Sequence, residues 1–332
     1  MAKQAVLLLA HGTPETAEQI PEYLRNVVSG RPMPQHVVEE IQHRYALIGR
    51  SPLTELTLEQ ARLTEAELAA GGIPVRVYVG MRNWRPYIPD VVNQMRADGV
   101  EEAAVICLAP QNSRTSVGLY RRAVMAEAGS LRVDFTDAWA RHPLLIEAFA
   151  ERLRPALHNL TGEIGHPVPV LFTAHSVPER TVQPANSPET GPKTWPGEGA
   201  DPYAEEARHT AELVAASVPE IPEWHFAFQS QGASGGPWIG PTVEKTLDGL
   251  AGRGVKVVLL QPIGFLCDHV EILYDIDIAF REYARGKGIR LERPESLNAS
   301  RLLARALAGL AGDGLQRLRT TTPPGMPLKM VE

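Results

Sequence analysis

Six short apolar runs punctuate the chain: AVLLLA (5–10), VRVYVG (75–80), AAVICLA (103–109), VPVLFTA (168–174), WHFAFQ (224–229) and VKVVLLQ (255–261). Runs this short that stay apolar, instead of alternating with polar residues, read as parallel strands buried on both faces. Between them TELTLEQARLTEAELAA (54–70), RPYIPDVVNQMRADG (85–99), PYAEEARHTAELVAASV (202–218) and GPTVEKTLDGLAGRG (240–254) keep helical spacing and end in turn-forming residues. Such alternation predicts an α/β fold that is doubly wound. The order of motifs also repeats, since APQNSRTSVGLY and QPIGFLCDHVEILY each follow the third strand of their half. Two similar Rossmann-like lobes with four-stranded parallel sheets are therefore expected, over residues 1–150 and 151–311, with 312–332 as a tail. The helical segment NASRLLARALAGLA (298–311) suits either lobe, and TTTPPGMPLKMVE (320–332) reads as a frayed end. The Pro- and Gly-rich stretch at 184–202 is too irregular for an element, and its place just after His175 suggests a cleft-side lid.

Two strand ends echo each other. LLLAHGTP presents His11 and LFTAHSVP presents His175, each followed by a proline that ends the strand. Ligands of open α/β sheets bind outside the carboxyl ends of the strands, so these histidines read as two facing walls of one cleft. A second feature follows the last strong strand. In CDHVEILYDID, the residues Asp268, Glu271 and Asp275 are spaced i, i+3 and i+7, which on a regular helix is one narrow stripe. Between apolar neighbours such a stripe needs a cation or a proton, unless it is a solvated face favoured by a helix N-terminus. It begins at the carboxyl end of VKVVLLQ, on the same rim as His175. An imidazole and carboxylates without thiolates suit a divalent ion that is held loosely and released.

Composition narrows the remaining choices. A chain of 332 residues is comfortable for two domains, and a net charge of −6 without Lys/Arg runs argues against a nucleic-acid partner. The apolar start is too short for a signal peptide and no stretch approaches a spanning helix, so a cytoplasmic protein without a transmembrane segment is expected. With only Cys107 and Cys267 present, neither a disulfide framework nor an iron–sulfur cluster is supported, and both cysteines read as packing residues. The glycines of GASGGPWIGP lack the spacing of a phosphate loop and read as a tight turn.

FTAHSVPER, FQSQGASGGPWIGP and QPIGFLCDHVEILYDID resemble the three strongest signatures of the ferrochelatases. Weaker likeness runs through LLLAHGTP, RYALIGRSPLTELT, YVGMRNWRPYIPD and LAPQNSRTSVGLY, covering about residues 5–310. The resemblance implies insertion of Fe(II) into a porphyrin, protoporphyrin IX or coproporphyrin III, held between two lobes during haem synthesis. It implies His175 as the essential base and metal contact, Glu271 as its carboxylate partner and Asp275 as a further metal contact along the acidic stripe. The family's widened π-type turn in this helix would alter the phase of Asp275. Ferrous iron is then a substrate, haem the product, and no prosthetic group is expected; another haem-pathway enzyme is a possible partner.

His11 stands where some family members carry tyrosine and others an apolar residue, which implies contact with the ring from the face opposite His175. It also resembles the first-strand histidine of the smaller cobalt and sirohydrochlorin chelatases, and a purely structural role stays open. Guanidinium binds carboxylate through paired hydrogen bonds, so Arg31, Arg82, Arg85 and Arg114 are candidate propionate anchors, with Arg31 and Arg114 preferred. Trp238 is a candidate to line the ring. His209, His225 and His269 are set aside as lying off the expected rim or on the far side of a helix. Two rival readings remain: a chelatase of the same fold for another tetrapyrrole or metal, and a non-catalytic two-lobed haem or iron binder.

Overall fold

The computed structural model describes residues 2–183, 200–232 and 236–321. Eight strands, β1 Gln4–Ala10, β2 Arg76–Met81, β3 Glu102–Cys107, β4 Arg132–Thr136, β5 Val170–His175, β6 Trp224–Gln229, β7 Val257–Pro262 and β8 Arg290–Glu292, form two sheets. Their orders are β2-β1-β3-β4 and β6-β5-β7-β8, and every pairing is parallel. Each half thus repeats one topology, with its first and third strands adjacent and their connections leaving to opposite sides. That is the switch point at which open α/β sheets leave a crevice.

Successive residues of a strand point to opposite faces, and both faces are covered here. In β1, Ala5, Leu7 and Leu9 enter one core, while Val6, Leu8 and Ala10 enter another. The latter core runs on without a break into the second half, through Phe149 and Leu153 to Phe172 and Ala174. Continuous apolar runs are the consequence of this double burial. Of the four edge strands, β2 and β6 keep apolar, mostly buried runs, whereas β4 and β8 carry no such signature: β4 is half-buried throughout and β8 has three residues, two of them charged.

Two boundaries fall elsewhere than the sequence suggests. The helix Pro143–Ile164 runs straight through residue 150, so the expected division between lobes lies inside a helix that packs against both. The last helix spans Arg301–Thr320, crossing the expected start of a tail at 312, with Ala311, Gly314, Leu315 and Leu318 buried. The Ser300 hydroxyl, accepting from the Leu303 amide, caps its start. It returns to the first half, against β3, β4 and the helices Leu53–Ala70 and Pro143–Ile164. No helix among the described residues is long and apolar enough to cross a membrane.

Between β1 and the helix Leu53–Ala70 the chain inserts two further helices, Ile20–Val27 and Gln35–Ile48. The turn leaving β1 is tight. Gly12 has φ +76°, and a Cβ there would lie 2.8 Å from the Met81 Cβ and 2.9 Å from the Trp84 amide nitrogen. Strain from the left-handed backbone and overpacking add, so Gly12→Ala should lower stability by about 2–4 kcal/mol in urea unfolding. A loss below roughly 0.5 kcal/mol, the ordinary scatter of surface changes, would show that the turn is not constrained as described.

Candidate active site

A cleft of ≈ 350 Å³ opens between the carboxyl ends of the strands of the two halves. His11 and Tyr23 line it from the first half; His175, His269 and Glu271 line it from the second. The strand end carrying His175 is held on several sides. The Ser176 amide donates to the Gln229 carbonyl at 2.6 Å, and the Ser176 hydroxyl donates to the Ile239 carbonyl at 2.8 Å. The Tyr203 hydroxyl donates to the His175 carbonyl at 2.8 Å. Gly264 packs so closely that a Cβ there would stand 3.0 Å from the Ala174 Cα.

The side chains of this floor form a triplet. His175 Nε2 lies 3.3 Å from Glu271 Oε1, and His269 Nε2 lies 3.4 Å from Glu271 Oε2. Each imidazole turns its other nitrogen to a backbone carbonyl: His175 Nδ1 to Ser176, and His269 Nδ1 to Cys267 at 3.0 Å. A carbonyl only accepts, so the Nδ1 protons are committed, and any change of charge occurs at the two Nε2 atoms that flank the carboxylate. Phe265 stacks near both rings, with centroids 6.3 Å from His175 and 4.7 Å from His269.

Burial alone would lower the pKa of His175, but the Glu271 carboxylate, the Ser176 carbonyl and the charge of Asp275 outweigh it and raise the net value. For Glu271, burial works to raise the pKa, and the two histidines overcome it, holding the carboxyl well below its usual range. The triplet is therefore an ionised carboxylate between two imidazole nitrogens, one of which, on His175, is favoured to take a proton.

Asp275 lies behind this group. It is buried, accepts a short hydrogen bond from the Ser230 hydroxyl, and stands 3.4 Å from Arg44 Nη1. Burial and the neighbouring Glu271 push its pKa up to about 6. The expected stripe is broken at both ends. Regular α-helix covers only Val270–Leu273, and a π-helical turn over Asp275–Phe280 takes over, as the resemblance implies. Asp268 precedes the helix and turns away to Ser296, Asn298 and Arg293. His269, set aside on a helical phase, has an extended backbone (φ −163°, ψ −175°), which swings its ring back to Glu271. Its position two residues before Glu271 was the available signal, once the helix start is put after it.

His11 opens onto the cleft from β1, with Nε2 2.9 Å from the Tyr23 hydroxyl and 3.1 Å from Asn83 Nδ2. Desolvation and the Arg82 charge lower its pKa and favour a neutral ring. Trp238 also lines the cleft. Arg31 is exposed, donates to the Val28 carbonyl at 3.0 Å and does not line the cleft. Arg114 is outside the lining as well: its amide meets Asp201 and its guanidinium the Gln183 carbonyl at 3.2 Å. Among the described residues, the lining arginine is Arg82, anchored on the Thr115 carbonyl at 3.2 Å. Arg85 pairs with Glu22, and His225 with Glu223, both elsewhere. The lid expected at 184–202 lies, but for residues 200–202, outside the described residues. Cys107 is buried in the first half, whereas Cys267 lines the cleft.

Likeness to known proteins agrees with this geometry. The fold resembles that of the sirohydrochlorin chelatase SirB from Bacillus subtilis subspecies spizizenii in complex with cobalt, at TM-score 0.55 and 11% identity over 96% of this chain and 97% of that one. In sequence, the chain is 60% identical to the ferrochelatase of Acidobacterium capsulatum across 97% of its own length and 98% of the relative's. It is 34% identical to the coproporphyrin III ferrochelatase of Mycolicibacterium vanbaalenii, over 98% of this chain and 92% of that one. The ferrochelatase family model matches residues 3–314, which include both echoing strand ends, the triplet and most of the returning helix. By that match and by full-length identity to a named member, the chain belongs to the ferrochelatase family.

Proposed function

We propose that this protein inserts Fe(II) into a porphyrin, releasing two protons, as a step of haem synthesis. The observation that carries this reading is the His175–Glu271–His269 triplet on the floor of the cleft between the lobes. Metallation requires two pyrrole N–H protons to leave as the metal enters. His175 Nε2 accepts the first as general base, and Glu271 stabilises the imidazolium that results. The carboxylate also touches His269 Nε2, which gives the second proton an acceptor. His175 and Glu271 serve as transient metal contacts, with Asp275 further along the same route. None of these groups forms a closed cage, as suits a metal that passes through as substrate; no prosthetic group or iron–sulfur cluster enters the proposal.

The opposite wall completes it. His11 faces the ring from the first half as a neutral nitrogen donor, a candidate axial contact to product haem, and Trp238 flanks the ring. Of the arginines considered, Arg82 is the better placed for a propionate, since Arg31 and Arg114 are engaged outside the lining. The substrate is protoporphyrin IX or coproporphyrin III, and the setting proposed is the cytoplasm, beside another enzyme of the haem pathway.

Anaerobic incubation of the purified protein with Fe(II) and each porphyrin in turn tests this reading. Conversion of one or both to the metallated ring, followed by absorbance, is expected; no conversion above the protein-free rate with either overturns it. Haem bound to the His11→Ala variant should lose the nitrogen-ligand signature of the parent spectrum. An unchanged spectrum removes His11 from the ring.

A further inference from the structure

The proposed reaction leaves Arg44 without a part, yet its placement is specific. It lies on the inserted helix Gln35–Ile48 of the first half, which packs against the acidic helix of the second. Val270, next to Glu271, joins the small core of Ile20, Leu24 and Tyr45 that holds the two inserted helices together. Beside this apolar contact Arg44 makes a polar one. Nη1 lies 3.4 Å from Asp275 Oδ1, Nε donates to Glu40 Oε1 at 3.1 Å, and the guanidinium carbon sits 4.9 Å from the Tyr274 ring centroid.

Both oxygens of Asp275 are thereby in use, one by the Ser230 hydroxyl and one by the guanidinium. The Asp275 side chain is 10% exposed and that of Arg44 32%, so the guanidinium is the more accessible member of the pair. A dication that takes Oδ1 of Asp275 meets a positive charge already on the same oxygen. At a few ångströms and an intermediate dielectric, repulsion of this kind is large compared with thermal energy.

Resting on the reading that metal passes along Glu271 and Asp275, we infer that Arg44 is a positioning residue that latches the inserted helix of the first half onto Asp275 and must be displaced by the incoming metal. Arg44 thus sets the affinity for metal and couples metal uptake to loosening of the helix Gln35–Ile48. Its contact crosses between the halves, so losing it frees one wall of the cleft relative to the other.

The test uses the full chain without porphyrin, titrated calorimetrically with Co(II) in neutral buffer. Arg44→Met keeps the apolar stem and removes the charge, and should bind Co(II) about three- to ten-fold more tightly than the parent, the scale of one weakened ion contact. Arg44→Lys should stay near the parent. Adding Asp275→Asn to Arg44→Met should abolish the gain, and thermal melts establish that each variant is folded. In turnover, Arg44→Met should lower KM for Fe(II) and leave KM for porphyrin unchanged. Unchanged Co(II) affinity in folded Arg44→Met, a gain that survives Asp275→Asn, or a shift confined to the porphyrin KM would each overturn the latch. Should the parent fail to metallate either porphyrin while the Co(II) gain still depends on Asp275, the proposed reaction falls and the latch stands.

Discussion

Replacing His175 with alanine is expected to lower kcat for iron insertion by about 10²- to 10⁴-fold, the usual contribution of a positioned general base. Geometry at one atom sets this role. His175 Nδ1 is committed to the Ser176 carbonyl, so Nε2 is the position that can take a pyrrole proton, and Glu271 is 3.3 Å away to receive the charge. Alanine removes the acceptor and leaves Glu271 with His269 alone. The fold should survive, because the imidazole faces the cleft with 32% of its side chain exposed and the strand end is fixed by Ser176 and Tyr203. The check is initial-rate metallation beside a thermal melt. A folded variant within about three-fold of the parent rate would exclude His175 as the base.

Glu271→Gln should carry the second-largest penalty and a shift that alanine at His175 cannot show. A hydrogen bond to a charged group contributes roughly 1.5–3 kcal/mol, so losing its share in the transition state corresponds to about a ten- to hundred-fold fall in kcat. The base works unprotonated, and its pKa is raised above 6.5 in the parent, so kcat/KM should climb with pH through that raised value. In the glutamine variant the carboxylate's upward pull is gone while the downward effect of burial remains, so the limb moves to lower pH than in the parent. Stability follows the same linkage. A raised folded pKa contributes stability that is complete below 6.5 and disappears as pH rises through the folded value, and the variant should show less of this dependence. Full rate with an unmoved limb would break the proposed pairing.

Much of this arrangement was legible in the amino-acid order, and the missed parts have separate physical causes. Strands β1, β2, β3, β5, β6 and β7 are buried on both faces, and that burial writes itself as unbroken apolar runs. Strands β4 and β8, the less buried edge of each sheet, carry charge and no run in RVDFT and RLE, whereas the opposite edges β2 and β6 are buried over their last four residues and keep theirs. His175 and Glu271 stood out because their strand end and helix start are regular. His269 did not, since phasing a helix through residues 268–278 gives the wrong direction to any side chain before its true start at Val270. The same assumption joined Asp268 to a stripe from which Arg293, Ser296 and Asn298 draw it away. Arg31 and Arg114 hold partners away from the cleft lining. An arginine side chain is long enough to find a carbonyl or carboxylate in many directions, and sequence position alone does not select one.

The return of the last helix to the first half has a consequence for how the molecule is made. Leu8, Ala104 and Ile106 belong to a core that also needs Leu303, Leu307 and Leu315. A ribosome releases the chain from the amino end, so domains usually fold in that order. Here the first half stays uncovered on one side while the whole second half emerges, and it closes only when the helix Arg301–Thr320 is free. Birth order and completion order are reversed: the lobe that leaves the ribosome first is the last to be finished, and a truncated transcript would yield a chain with its oldest sheet still open.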